Sequence, residues 1–255
     1  MRIAVLADIH GNLRALEAVQ ADLARRSPDV IVNLGDNVSG PLQAAATADL
    51  LMQQSYVHIR GNHDRQLLDR APEKMGPSDR AAHAQLNSRH LAWLSTLPPT
   101  QMLGENVGEN VLLCHGSPKD DLEYLLEQVD GDRVRLASTA QIQERLGDVP
   151  ARLILCGHTH IPRSVFLPGG AVVVNPGSVG LQAYDDTSSA PHYIETGNPH
   201  ARYALIDWDR KVKRIEFVAL EYDWESASKE AAQANRPDWA HALATGYALR
   251  SIAPE

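Results

Sequence analysis

The sequence has little cysteine, no long apolar run and no excess of positive charge, and each shortage removes a class of function. Two cysteines among 255 residues, Cys114 and Cys156, are too few for a disulfide framework. They fit a reducing compartment, so the expected location is cytoplasmic. No apolar stretch approaches the ~20 residues that a bilayer-spanning helix needs, and no membrane partner is expected. The N-terminal run MRIAVLADIHG meets Asp8 and His10 before any small-residue cleavage site, so it reads as a first β-strand and not as a secretion signal. A formal charge of −8 argues against bulk binding of nucleic acid. With no solenoid-spaced repeat and no low-complexity linker, one domain over residues 1–255 is expected.

What is present is an alternation of short Val/Ile/Leu-rich runs with helical patterns, which predicts an α/β fold. Strands are expected at Arg2–Ala7, Val30–Leu34, Tyr56–Ile59, Val111–Cys114 and Arg152–Cys156. Further strands follow near Ser164–Leu167, Ala171–Val174, Tyr203–Asp207 and Val212–Ala219. Leu13, Leu16, Val19 and Leu23 recur at helical spacing behind Asn12, a natural N-cap. Other helices are expected at Leu42–Gln54, in a cap-like segment at about 72–97, and near the C-terminus at about 223–250. The stretch between the fourth and fifth strands reads as loop and helix, and 181–201 as long and irregular. Two sheets flanked by helices, a four-layer αββα arrangement, is the natural architecture.

Five of the strands end alike, with a potential metal ligand just past the last apolar residue: RIAVLADIH, VIVNLGD, YVHIRGNHD, NVLLCHG and RLILCGHTH. They deliver Asp8, His10, Asp36, Asn62, His63, His115, His158 and His160. Sites in α/β sheets form outside the carboxyl ends of strands, so these side chains can meet in one cleft. A lone histidine at a strand end is more often structural, and an Asp after Gly more often a turn former. Five such endings in one chain are hard to explain by turn chemistry. Oxygen and imidazole donors without thiolate suit Mn, Fe, Zn, Co or Ni. Seven ligands exceed the need of one ion and serve two if Asp36, alone on its strand, bridges them. Such a pair lowers the pKa of water from 15.7 toward ~7, so a bridging hydroxide is the expected nucleophile.

The ordered set D-x-H, GD, GNHD, H-G and GHTH resembles the calcineurin-like metallophosphoesterase superfamily. RGNHD, LLCHGSP, CGHTH and NPGSVG extend the likeness to its bacterial phosphodiesterase and dinucleoside-tetraphosphatase-like branch, and ANRPDWAHALATG fits that branch's closing helices. The resemblance implies one ion held by Asp8, His10, Asp36 and His160, and a second by Asp36, Asn62, His115 and His158. It also implies that His63 protonates the leaving oxygen, that Asp64 orients or tunes His63, and that Arg60 is a candidate for contacting phosphate oxygens. The expected function is hydrolysis of a small phosphodiester or nucleotide phosphoanhydride, with two divalent ions, manganese foremost. A protein serine/threonine phosphatase or phosphomonoesterase on the same site is the nearest alternative, and a non-catalytic scaffold a more distant one. His58, His83, His90, His192, His200 and His241 lie outside the set and are read as surface or core residues, and the Asp120–Asp121 and Asp185–Asp186 pairs as solvated turns.

Overall fold

The computed structural model of the protein describes residues 1–104, 110–187 and 190–250. Its strands are β1 (Arg2–Leu6), β2 (Val30–Asn33), β3 (Val57–His58), β4 (Thr100–Leu103), β5 (Val111–Cys114), β6 (Glu127–Asp130), β7 (Arg133–Leu136), β8 (Leu153–Leu155), β9 (Arg163–Phe166), β10 (Val172–Asn175), β11 (Ala183–Asp186), β12 (His192–Glu195), β13 (Ala201–Trp208) and β14 (Val212–Leu220). The helices are α1 (Leu13–Arg26), α2 (Ala44–Met52), α3 (Asn62–Asp69), α4 (Pro77–His83), α5 (Ser88–Thr96), α6 (Thr139–Leu146), α7 (Trp224–Gln233) and α8 (Pro237–Thr245).

Two five-stranded sheets form the centre, in the orders β14-β13-β1-β2-β3 and β4-β5-β8-β10-β9. In the first, β1, β2 and β3 run parallel; in the second, β5, β8 and β10 do. The strand period of two divides the side chains between layers. Ile3 and Val5 point with Leu113, Leu155 and Val174 into a core between the sheets. Ala4 and Leu6 point the other way, onto Leu16, Val19 and Leu23 of α1. On the outer face of the second sheet, Leu112, Ile154 and Val173 pack on Ile142 and Leu146 of α6. The result is the expected arrangement of two sheets between helices.

Asn12 caps α1 as its sequence suggests, accepting the Ala15 N–H at 3.2 Å. The 72–97 segment is a 3-10 turn (Pro72–Lys74) followed by α4 and α5, and the last helix stops at Thr245 before Gly246 in the left-handed region. Three features depart from expectation. The stretch after β5, expected to be loop and helix, holds the hairpin β6–β7, whose strands meet across Gly131-Asp132. The 181–201 segment, expected to be irregular, holds the antiparallel pair β11–β12; its residues 188–189 lie outside the described residues. Strand β4 pairs with β5 although TQML carries little apolar signal. All are short, mostly polar strands, for which alternation is a weak marker.

Candidate metal centre

Parallel pairing in both sheets sends five ligand-bearing strand ends to one edge of the sandwich, and backbone hydrogen bonds lace the loops there. Asp8 N–H donates to Gly35 O at 3.0 Å, His10 N–H to Asp36 O at 2.9 Å, and Gly157 N–H to His115 O at 2.7 Å. His158 N–H meets the Asp8 carboxylate at 3.1 Å. These turns are tight. Asp8, His10, Asp36, His158 and His160 all have φ between 53° and 70°, the left-handed region that non-glycine residues seldom occupy. Strain of this kind persists only where the surroundings over-determine it, and it gathers at functional sites. Two glycines make the close packing possible. A Cβ on Gly61 would lie 2.2 Å from Asp36 Oδ1, and one on Gly180 would lie 1.8 Å from the Ile9 carbonyl.

The side chains form two groups. Asp8, His10 and His160 offer one set of donor atoms within 4.8 Å of one another; Asp36, His115 and His158 offer another. Asn62 Oδ1 adjoins the second group, 3.0 Å from His115 Nε2. Asp36 Oδ2 stands between them, 3.2 Å from His115 Nε2 and 3.9 Å from His10 Nε2.

The donor set fits divalent ions. The Nδ1 atoms of His10, His115 and His160 face the carbonyls of Ser39 (3.1 Å), Leu34 (2.8 Å) and Leu181 (2.6 Å). A carbonyl only accepts, so each Nδ1 carries a hydrogen and each ring turns Nε2 inward, the outer bonding usual for metal-ligating histidines. His10 Nε2 and His160 Nε2 lie 3.2 Å apart, close enough to share one cation. Burial, then the neighbouring His160, pushes His10 down to about 3, which keeps a proton from filling that role. Burial likewise lowers His158 to about 4. For Asp36, burial would raise the carboxyl, but the neighbouring His115, His63 and His10 together outweigh it and hold the group well below the usual carboxylate range.

His63 sits beside this centre. Its N–H donates to Asp36 Oδ1 at 2.9 Å, and its ring Nδ1 lies 2.7 Å from Asp79 Oδ1. Burial works to lower its pKa, but the Asp36 charge and the Asp79 bond raise it to about 9. Asp79 is buried on α4 and also accepts from Ser39 Oγ at 2.8 Å.

Two residues have contacts other than those expected. Asp64 was expected to orient His63, yet the ring's carboxylate partner is Asp79. Asp64 accepts instead from Asp36 N–H (2.9 Å), Asn37 N–H (3.0 Å), Gly61 N–H (3.0 Å) and Asn37 Nδ2 (2.8 Å), bracing the turn that carries Asp36. Arg60 was expected to reach phosphate, but it is not among the residues lining the cavity over the centre. Ile59 fills the inter-sheet core, and the Arg60 N–H donates to the Pro98 carbonyl. The cavity measures about 700 Å³ and reaches from His10, Asp36 and Asn62 to Ser78 of α4, Tyr184 of β11 and Trp239 of α8. Its cationic wall residues are Arg70, exposed at the end of α3, and Arg236.

The sequence model of the calcineurin-like phosphoesterase superfamily domain matches residues 1–197. The chain belongs to this superfamily. As a calcineurin-like phosphoesterase it is a metal-dependent phosphoric ester hydrolase, with two groups of metal-binding side chains in place. Among its relatives is the uncharacterized protein MJ0912 of Methanocaldococcus jannaschii, 28% identical over 259 residues, covering 93% of this chain and 94% of the relative. The crystal structure of a metallophosphoesterase from Sphaerobacter thermophilus has a TM-score of 0.71 and 26% identity, over 96% of this chain and 100% of that one. The hypothetical protein PH1004 of Pyrococcus horikoshii shares the fold at a TM-score of 0.71 and 19% identity, over 96% and 98% of the two chains.

Asp79, Ser39, Arg70, Arg236 and the ring contacts of Tyr124 and Tyr184 on His158 and His160 escaped the sequence reading. Ser39 follows the GD motif closely, but nothing in the sequence ties it to a residue forty positions on.

Proposed function

We propose that this phosphoesterase works with two divalent ions, manganese foremost, on a small phosphodiester or nucleotide phosphoanhydride. Asp8, His10 and His160 would hold one ion, Asn62, His115 and His158 the other, and Asp36 would bridge them. The observation that carries the reading is the place of Asp36 Oδ2 between His10 Nε2 and His115 Nε2, within 4 Å of each. When bound, the ion pair supplies Lewis acidity toward phosphoryl oxygens and a water-derived nucleophile near neutral pH.

The chain's own residues do the rest. His63 is held at Nδ1 by Asp79, which leaves Nε2 to hand a proton to the leaving oxygen. Arg70 extends from the far end of α3 into the cavity wall and is placed to meet a second anionic group of the substrate. A cavity of about 700 Å³ lies within the ordinary range for small-ligand pockets, and walls from α4, β11 and α8 suit a small molecule better than a folded protein substrate.

His63→Ala tests the acid role. The variant should retain its metal yet lose ~10²–10⁴-fold in kcat/KM on a dinucleotide, whose alkoxide leaving group needs a proton. It should lose far less on bis(p-nitrophenyl) phosphate. Equal loss on both substrates would remove His63 as the acid, and activity confined to phosphomonoesters or phosphopeptides would replace the substrate class.

A further inference from the structure

The superfamily match ends at residue 197, yet the cavity is closed by α8, forty residues further on. From α8 a continuous run of contacts leads to His63. Arg236, at the N-cap of α8, is held by the Asp238 carboxylate (Nε to Oδ1 2.9 Å, Nη2 to Oδ2 2.5 Å) and stands over the Trp239 ring at 5.6 Å. Its remaining arm, Nη1, donates to Ser78 Oγ at 2.9 Å. The Ser78 carbonyl accepts the Gly40 N–H at 3.2 Å. The next residue, Asp79, receives Ser39 Oγ at 2.8 Å and His63 Nδ1 at 2.7 Å.

Trp239 clamps the other side of the same loop. It is buried, with its ring centroid 5.9 Å from that of His10, and a Cβ on Gly40 would lie 2.5 Å from its Cη2 atom. Ser39 and Gly40 are thus pinned between α4 and α8. Helix α4 is only seven residues long, and Ser78 and Asp79 stand in its first turn. An arginine locked by its own carboxylate neighbour, with Nη1 turned to Ser78, is a fixed post for that turn.

We propose that Arg236 is a positioning residue for the proton-transfer step: by holding Ser78 it sets where Asp79 stands, and Asp79 sets the orientation of the His63 ring. The C-terminal helix pair is then part of the catalytic apparatus, although it lies outside the matched domain. This inference rests on the reading of His63 as the acid.

The test is a double-mutant cycle read on two leaving groups. Arg236→Ala should lose on the order of tenfold in kcat with the dinucleotide, a part of the full acid contribution, and little with bis(p-nitrophenyl) phosphate. Arg236→Lys, which can still donate to Ser78, should recover part of that loss. In a His63→Ala background, Arg236→Ala should leave the ratio between the two substrates unchanged. If Arg236→Ala fails to fold, Ser78→Ala removes the same bond from the acceptor side.

Equal loss on both substrates, or a rise in KM alone, would mean that Arg236 supports the fold or touches substrate, and would overturn the proposal. So would an effect that persists undiminished without His63. If instead His63→Ala itself does not discriminate between leaving groups, the acid assignment falls first and this inference with it.

Discussion

Asp64→Asn separates a brace for the metal centre from a partner of the acid. Asp64 is buried and accepts four hydrogen bonds: three at Oδ2, from Asp36 N, Gly61 N and Asn37 Nδ2, and one at Oδ1, from Asn37 N. Burial and then the Asp36 charge push its pKa up to about 6, against those four donors, so the group is ionised at neutral pH. Asparagine has one acceptor oxygen. Placed at Oδ2 it keeps three bonds but sets its NH2 against the Asn37 N–H, a buried donor facing a donor. Losing one bond to a charged acceptor costs about 1.5–3 kcal/mol, and a buried unsatisfied N–H about 1–3 kcal/mol. Since these overlap, a loss of about 2–4 kcal/mol is expected, read as a lower urea midpoint at unchanged slope. The Asp36 N–H loses its charged acceptor too, so metal affinity should fall ~10–100-fold, as for other groups that orient ligands. At saturating metal, any remaining loss of turnover should be equal for alkoxide and p-nitrophenolate leaving groups. Unchanged stability and metal affinity, with loss confined to the alkoxide, would refute the brace and restore Asp64 as a partner of His63.

Two further outcomes follow from packing and charge. Gly180→Ala sets a Cβ 1.8 Å from the Ile9 carbonyl, so the Asp8–His10 turn must move; calorimetry should show destabilisation of about 1–3 kcal/mol, and metal titration a weakened site at Asp8, His10 and His160 while the other is kept. Burial raises the Asp22 carboxyl, but hydrogen bonds from Tyr203, Arg26 and Arg25 outweigh it and leave the pKa lowered. A lowered folded-state pKa gives stability that is present above the unfolded value near 3.9 and lost as pH falls through the folded value. Asp22→Asn should therefore be less stable at pH 7 by about 1–2 kcal/mol and show a shallower fall of stability below about pH 5, and an unchanged pH profile would count against the argument.

The sheets were legible because five of their strands are apolar runs ending in a ligand, as in RIAVLADIH and RLILCGHTH, and because buried parallel strands leave that plain mark. β6–β7 and β11–β12 were not, since in four-residue strands such as HYIE and RVRL alternation is too brief to mark a strand. At the centre, ligand identity was readable from residue type at strand ends, whereas the partner of His63 was not. Asp64 is its neighbour in sequence, but the first turn of α3 aims that carboxylate at backbone donors of the β2 turn. Asp79 reaches the ring from a separate helix, and Arg236 reaches Asp79's neighbour from the far end of the chain. Contacts of such separation have no local signal. Arg60 is near Asn62 in sequence but does not line the cavity.

The most direct test of the account is the metal content and geometry of Mn-saturated protein, by elemental analysis and anomalous scattering. Two ions ~3.5–4 Å apart are predicted, one on Asp8, His10 and His160, the other on Asn62, His115 and His158, with Asp36 touching both. A single ion at saturation, or a pair in which Asp36 binds only one, would contradict it.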